Sequence, residues 1–328
     1  MTVVDSRPVS DGDFLEQADP FRRELLAHCY RMLGSVHDAE DLVQETYLRA
    51  WKAYDRFEGR SSLRTWLYRI ATTACLTALE QRGRRPLPTA LGEPSSEPDA
   101  TLVERPEVPW LGPVPDGMVA DPASEVASRE SVRLAFVAAL QHLPPRQRAV
   151  LILRDVLRFR AAEVAEAVGI TTVAVNSLLQ RARTQLSQVG VSEEDVREPD
   201  SPEQRALLDR YAAAFEAYDI PGIVELLTQD AIWEMPPFTG WYQGAETIGR
   251  LIALNCPAEK PGDQVMVPTV ANGQPAFGLY MRDGDGRHRP FQLQVLSMRG
   301  GAVAHVVAFF DVSLFPKFGL PPAPPASS

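Results

Sequence analysis

The sequence predicts a multi-domain chain in which two all-α helical domains precede a C-terminal α+β domain. Its 328 residues exceed the size of one ordinary domain. Apolar residues recur with a helical period up to residue 189, whereas alternating runs with a period of two begin at Gln264. An acidic, Pro-rich tract over residues 91–127 separates the helical parts and is predicted to be an extended linker, because its composition cannot bury a core.

The first helical domain is predicted over residues 13–90. Its second helix begins at Ser35 or His37–Asp38 and turns an apolar face inward. On the opposite face Leu48 lies among charged residues, which indicates either an ordinary solvated face with one stray leucine or a docking surface for another protein.

The third helix of this domain combines basic and aromatic residues on its predicted outer side. Arg64 and Arg69 alternate there with Trp66 and Tyr68, and Thr72 and Thr73 follow. This combination suits single-stranded DNA, because charge follows the phosphates while rings or pockets receive unstacked bases. A core position for Trp66 explains the same pattern.

The second helical domain, residues 128–189, is predicted to contain a helix-turn-helix. Pro144 and Pro145 suit the start of one helix, and Gly169 can adopt the positive φ that ends the next. Thr171 or Thr172 then caps a last helix with one apolar and one polar face. The polar face predicts DNA recognition, although a three-helix bundle with a solvated face fits the same pattern.

The charge distribution supports DNA binding by the second helical domain. The whole chain has a formal net charge of −10, but residues 129–189 carry +5 while the linker and the C-terminal part are acidic. The three cysteines and five histidines show no metal-ligand spacing, and no apolar run has the ~20 residues of a membrane helix. We therefore expect a cytoplasmic protein without metal, cofactor or membrane association.

After a polar link over residues 190–201, a C-terminal domain is predicted over residues 202–320. Helices come first and four alternating strands follow, which predicts a curved antiparallel sheet. Its aromatic residues are interpreted either as plain core or as the lining of a ligand pocket, for which the candidates are Trp233, Trp241, Tyr242 and Phe291, with Met235, Phe238 and Phe309 beside them. Glu234, His305 and Asp311 are polar candidates, but they form no acid–base constellation, so we expect no enzyme.

Two motifs resemble a known family. DAEDLVQETYLRAW, followed by SSLRTWLYRIATTACL, resembles conserved region two of bacterial RNA polymerase sigma factors of the extracytoplasmic-function (ECF) class, and LPPRQRAVLILRD with the helix-turn-helix resembles region four. The run from RRELLAHCYRMLG onward is similar to the sigma G-like group. The C-terminal order of elements, opening with RYAAAFEAYDIPGIVELL, resembles the SnoaL-like fold.

The resemblance implies an alternative sigma factor whose partners are core RNA polymerase, through its β′ and β subunits, and promoter DNA. It implies polymerase contacts at Asp38, Asp41, Gln44, Glu45 and Leu48. It implies minus-ten contacts at Ser61, Arg64, Trp66, Arg69, Thr72 and Thr73, and minus-thirty-five contacts at Thr171, Thr172, Asn176, Ser177, Gln180, Arg181 and Arg183. Asn176 and Leu178 depart from the family's frequent Lys or Arg, so the promoter sequence cannot be carried over.

The SnoaL-like resemblance implies a regulatory domain that acts through a small molecule or an intramolecular contact. The linker of the family threads through the polymerase cleft, although a plain spacer remains the alternative, with Trp110 and Leu111 as its expected anchors. Two other functions remain open: a stand-alone helix-turn-helix regulator with a ligand-sensing domain, and enzyme activity in the C-terminal domain.

Overall fold

The computed structural model describes residues 11–119, 131–189 and 201–325 and divides into two compact units. The helical unit comprises residues 1–84 and 117–191, and the C-terminal unit comprises residues 85–116 and 192–328. Residues 85–116, here called the inter-region segment, therefore belong to the C-terminal unit, although the sequence places them between the two helical domains.

The helical unit contains both predicted helical domains. Its helices are α1 (Asp11–Ala18), α2 (Arg22–Leu33), α3 (Val36–Ala53), α4 (Leu63–Arg82), α6 (Leu134–Gln141), α7 (Pro145–Leu151), α8 (Ala161–Val168) and α9 (Thr172–Val189); a short α5 (Asp116–Val119) spans the boundary between the units. Short 3₁₀ turns lie at Asp19–Phe21 and Tyr54–Arg56, and a π turn, Ile152–Val156, follows α7. The prediction of two all-α domains is confirmed.

Local chemistry explains where these helices begin and end. The side chain of Ser35 accepts from the Asp38 N–H at the start of α3, and that of Ser62 accepts from the Thr65 N–H at the start of α4. Gly34 and Gly169 end α2 and α8 with φ of 71° and 70°, a backbone conformation that side chains with a Cβ disfavour. The helix-turn-helix thus forms at the predicted glycine.

The C-terminal unit packs helices against one six-stranded sheet. The elements are α10 (Pro202–Glu216), α11 (Ile220–Leu226), β1 (Leu227–Glu234), β2 (Trp241–Gln243), α12 (Ala245–Asn255), β3 (Gln264–Ala271), β4 (Gln274–Arg282), β5 (His288–Arg299), β6 (Ala302–Phe309) and α13 (Leu314–Lys317). The strand order is β2-β1-β6-β5-β4-β3. The four strands predicted after Gln264, β3 to β6, pair antiparallel as expected. The whole sheet is nevertheless mixed, because β1 lies parallel to β6, a pairing that needs the long connection between these two strands.

The inter-region segment has little regular structure but packs along the C-terminal unit. The Ser95 N–H donates to the Trp241 carbonyl at 2.7 Å, and the Arg105 N–H donates to the Pro237 carbonyl at 2.9 Å. Leu111 is fully buried, as its predicted anchoring role requires. A plain solvated spacer would leave these donors to water, so the segment is a structural part of this unit.

Within the described ranges, no single helix is both long and apolar enough to cross a membrane; α8 and α9 pass that test only as a pair bent by 93°, and this pair is the helix-turn-helix. The same ranges contain no group of three His, Cys, Asp or Glu side chains arranged to hold a metal ion.

Candidate nucleic-acid interface and ligand cavity

Helix α9 presents the polar face that the sequence predicts. Val175, Leu179 and Ala182 are buried beneath it, because they fall on one side of a 3.6-residue period. The exposed side carries Thr171, Thr172, Asn176, Ser177, Gln180, Arg181 and Arg183. Thr171 caps the helix through its Oγ1, which accepts from the Ala174 N–H at 3.2 Å.

Two residues of this face differ from the rest. Arg183 is held by Asp155, with its Nη2 and Nε 2.7 Å and 2.8 Å from the two carboxylate oxygens. Val173 is 74% exposed although it is apolar. The uncharged amides of Asn176 and Gln180 are therefore more available for hydrogen bonds to bases than Arg183 is for phosphates.

On α4 the candidate minus-ten residues lie in different environments. Arg64 is half-buried, donates to both carboxylate oxygens of Glu24 at 2.7–3.0 Å, and stacks over the rings of Tyr68 and Phe159. Trp66 is partly buried beside the ring of Phe57, 4.8 Å between centroids. Ser61 is also partly buried, while Arg69 and Thr73 are exposed.

Thr72 lies on the inner rather than the outer side of α4. It is fully buried, and its Oγ1 is 3.0 Å from Nε2 of His28. Burial, aided by the nearby charges of Arg31 and Arg64, lowers the pKa of His28 to about 3, so this imidazole is neutral. The helical period alone misplaces Thr72 because α2, α3 and α8 all pack against α4.

Helix α8 covers part of α4 within the helical unit. Nη1 of Arg69 is 2.8 Å from the Glu166 carboxylate, and Oγ1 of Thr65 is 3.5 Å from the Glu163 carboxylate. Phe159, which precedes α8, packs against Tyr68 with ring centroids 5.0 Å apart. Acidic side chains therefore occupy part of the α4 surface that carries the predicted minus-ten residue Arg69.

The candidate polymerase surface lies on α3. Asp41 and Gln44 are exposed, Asp38 is partly buried, and Glu45 forms an ion pair with Arg49. Leu48 is 58% exposed, and Trp51, one turn further along, is 46% exposed. The sequence reasoning missed Trp51, which its i+3 spacing from Leu48 could have identified.

Two buried arginines connect the two helical domains, and no local sequence pattern predicts them. Arg31 Nη2 donates to the Ser131 hydroxyl at 2.7 Å, and Arg148 donates to the Met32 carbonyl and, at 2.7 Å, to the Gln141 side chain. Burial lowers the pKa of each guanidinium to about 10. Each arginine therefore joins chain segments about a hundred residues apart.

The C-terminal unit encloses a cavity of about 270 Å³. Of the predicted pocket residues, Trp233 and Phe291 line it, together with Met235 and Phe238. Its other walls include Phe215 of α10, Asn255 of α12 and Leu102 of the inter-region segment. Gln264 and Gln292 supply amides, and none of the lining residues is Asp, Glu, Lys, Arg or His.

The remaining predicted pocket residues lie elsewhere in the unit. Trp241 donates through Nε1 to the Gly92 carbonyl at 2.8 Å, Tyr242 is core, and Phe309 is buried on β6. Glu234 is fully buried and accepts from the Thr89 N–H at 2.8 Å, with Nε2 of His305 2.8 Å from its other oxygen. Asp311 is exposed in a turn with Ser313. These side chains position the inter-region segment and the sheet end and do not line the cavity.

Comparison with known proteins identifies both halves of the helical unit. The family model of sigma-70 region 2 matches residues 18–85, and that of sigma-70 region 4 matches residues 133–186. The chain is 66% identical over 313 residues to the ECF RNA polymerase sigma factor SigG of Mycobacterium tuberculosis, a match that covers 94% of this chain and 84% of that protein.

A second relative extends over the C-terminal unit. The chain is 28% identical over 315 residues to the ECF RNA polymerase sigma factor SigJ of Mycobacterium tuberculosis, covering 93% of each chain. The crystal structure of SigJ aligns with a TM-score of 0.61 at 23% identity, over 94% of this chain and 100% of that one. The fold therefore extends through both units, and the C-terminal helices and mixed sheet fit the SnoaL-like architecture.

Proposed function

The chain belongs to the ECF sigma factors of RNA polymerase, and from this premise we propose how its described surfaces share promoter recognition. Sigma factors act with RNA polymerase and promoter DNA in transcription initiation. The observation that carries the proposal is the exposed, polar, largely uncharged face of α9, which presents Asn176 and Gln180 to solvent.

Helix α9 reads the minus-thirty-five element in the major groove. Asn and Gln amides can pair bidentately with adenine, and the exposed Val173 suits a thymine methyl. Thr171, Thr172, Ser177, Arg181 and Arg183 supply the phosphate and edge contacts that fix the register of the helix.

Helix α4 captures the minus-ten element after strand separation. Arg64 and Arg69 follow phosphates, while Trp66 offers a ring for an unstacked base. Ser61 and Thr73 add hydroxyl contacts. Thr72, which is buried against His28, contributes by setting the shape of this helix and not by touching DNA.

Helix α3 binds the polymerase. Exposed Leu48 and Trp51 form an apolar patch, and Asp38, Asp41, Gln44 and Glu45 form a polar rim around it, the arrangement typical of a protein interface. We propose that this surface contacts the β′ subunit and that the region-four domain contacts the β subunit.

Run-off transcription with core polymerase tests the proposal. The full chain is expected to give promoter-specific transcripts, and Asn176→Ala or Gln180→Ala to lower the preference for the cognate base by about tenfold, since a bidentate pair contributes ~1–3 kcal/mol. Gln188→Ala, an exposed residue at the far end of α9, is the matched control.

Two outcomes would contradict the proposal. Unchanged base preference in both variants would show that Asn176 and Gln180 do not take part in base recognition. Promoter binding by the chain alone without any polymerase-dependent transcript favours the stand-alone regulator instead.

The C-terminal unit modulates this activity by holding the inter-region segment. Val114 exchanges two hydrogen bonds with Asn272, and Thr89 is bonded to Glu234, so the segment is fixed at both ends. A chain held in this way cannot follow another path through a polymerase. The cavity lining, which has no carboxylate or imidazole, favours ligand binding over general acid–base catalysis.

A further inference from the structure

The lining of the cavity in the C-terminal unit includes a residue of the inter-region segment. Leu102 lines it together with aromatic side chains of α10 and the sheet. We propose that this cavity binds a small, uncharged aromatic molecule carrying a hydroxyl group, and that binding tightens the hold of the C-terminal unit on the inter-region segment. The inference rests on the proposed regulatory role of this unit.

The lining excludes charged ligands. Among the described residues that line the cavity, the thiol of Cys256 is the only titratable group, and burial raises its pKa, so it is neutral as well. Moving an ion into a site without a counter-charge is far more costly than moving a neutral group there. A volume of about 270 Å³ is at the lower end for small-molecule sites, which suits one or two fused rings.

The shape of the lining favours a planar ring. Phe238 and Phe291 each meet Phe310 edge to face, with centroids 5.3 Å apart and interplanar angles of 89° and 78°. Phe215 and Trp233 stack nearly parallel, at 15°. Such a group of rings offers both faces and edges, the two geometries that aromatic ligands prefer.

The side-chain oxygen of one buried amide favours a ligand that carries a hydroxyl group. Gln264 is 2% exposed; its Nε2 donates to Sγ of Cys256 at 3.1 Å, while its Oε1 has no hydrogen-bond partner. A buried acceptor without a partner is destabilising, and a ligand hydroxyl would satisfy it. Since Gln264 lines the cavity, the polar end of the ligand is placed beside it.

The cavity is coupled to the segment at three neighbouring points. Leu102 contributes to the wall itself, and Asn255, another lining residue, donates to the Pro98 carbonyl at 2.9 Å. Phe238 pairs with Glu104 in an isolated β-bridge. A molecule that fills the space against Leu102 and Phe238 therefore stabilises the bound segment, and by linkage a bound segment raises the affinity for that molecule.

Calorimetric titration of the full chain tests the binding chemistry, with 1-naphthol as the probe. Naphthalene lacks the hydroxyl and 1-naphthoate is charged, so both are expected to bind at least about tenfold more weakly. Gln264→Leu is expected to weaken 1-naphthol binding about tenfold and to leave naphthalene unchanged. Gln243→Leu, at an exposed position on β2, is the control. No measurable binding of 1-naphthol, equal affinity for 1-naphthoate, or full affinity in Gln264→Leu overturns the assignment.

Hydrogen–deuterium exchange tests the coupling between the cavity and the inter-region segment without polymerase. A negative result for this coupling is therefore distinguishable from a negative result in the transcription assay. The Ser95 and Arg105 amides, which donate to residues of the sheet end, are expected to exchange several-fold more slowly with 1-naphthol bound. Leu102→Ala should remove this slowing and weaken binding, whereas Val103→Ala, whose side chain is exposed, should not. Binding with unchanged exchange overturns the regulatory part of the inference.

Discussion

At the scale of single residues, buried arginines hold the two sigma regions together. Arg148 donates to the carbonyls of Met32, Gln141 and Leu143, so one side chain satisfies acceptors from both regions. Its lowered pKa reports the cost of keeping this charge away from water. Removal of the guanidinium leaves these carbonyls buried without that donor.

Arg148→Met is therefore expected to lower the free energy of unfolding by about 3 kcal/mol. Chemical denaturation followed by circular dichroism measures the effect. Arg146→Met, an exposed arginine on the same helix, is the matched control and should change stability by less than ~0.5 kcal/mol. Equal stability of the two variants would contradict the role given to Arg148.

His28 makes the stability of the helical unit depend on pH, and the direction of this dependence follows from the pKa of the imidazole. Its pKa in the folded chain is about 3, against 6.5 when unfolded, so below pH 6.5 the unfolded state binds a proton that the folded state does not. Stability is then complete above about pH 6.5 and is lost toward pH 3. Between pH 7.5 and 5.5 the loss from this residue is about 1.4 kcal/mol.

Denaturation at pH 7.5 and 5.5 checks this expectation by comparing the chain with His28→Gln, which should lose less stability over the same interval. His37→Gln removes an exposed histidine and should behave like the unchanged chain. The pKa of His142 is also lowered, first by burial and then by Arg84 and Arg148. This shift is the same in the unchanged chain and in both variants, so it does not affect the comparison between them.

At the scale of elements, α8 and α4 are paired in a way that conflicts with the minus-ten role proposed for α4. Glu166 and Glu163 approach Arg69 and Thr65, so acidic side chains lie on the surface to which that proposal assigns phosphates. The exposed ion pair between Arg69 and Glu166 contributes little by itself, at most ~1 kcal/mol. In the minus-ten role proposed for α4, opening of this pairing therefore precedes DNA capture.

A reducible thiol cross-linker across Arg69→Cys and Glu166→Cys is expected to suppress promoter-specific transcription by at least about tenfold, because α4 then stays covered. Cleavage of the linker should restore the activity of the same double variant, which controls for the loss of Arg69 itself. Each single variant treated with the reagent controls for modification of the native cysteines. Full transcription by the cross-linked protein would refute the need for opening.

At the scale of the whole chain, the segment between the two sigma regions packs as part of the C-terminal unit and is hydrogen-bonded to it. Asn272, at a φ of 57°, accepts from the Val114 N–H through Oδ1 at 3.0 Å and donates its own N–H to the Val114 carbonyl. In the regulatory role proposed for the C-terminal unit, the free energy that holds this segment sets how readily it is released.

Asn272→Gly keeps the positive φ accessible and removes the side-chain bond to Val114. The loss of about 1 kcal/mol is expected to shift the balance of held and released segment about fivefold toward release and to raise transcription several-fold. Hydrogen exchange of residues 105–116 reports the release, and Val270→Ala, exposed on the adjoining strand β3, is the control. Faster exchange with unchanged transcription would leave the segment without a regulatory role.

The sequence by itself determined the elements whose causes are local. The cap at Ser35, the glycine at 169 and the two-residue period after Gln264 predicted a helix start, a turn and strands, because hydrogen bonds and apolar period act over a few residues. The exposed face of α9 was predictable for the same reason.

Only the tertiary structure decided features that depend on distant contacts. Thr72 is buried by α2, Arg148 reaches Met32, β1 pairs in parallel with β6, and Leu102 lines a cavity among residues more than a hundred positions away. No local pattern encodes such partners, because burial and pairing are set by which surfaces meet. The acidic tract was therefore recognised as irregular from its composition, while its packing along the C-terminal unit emerged only with the fold.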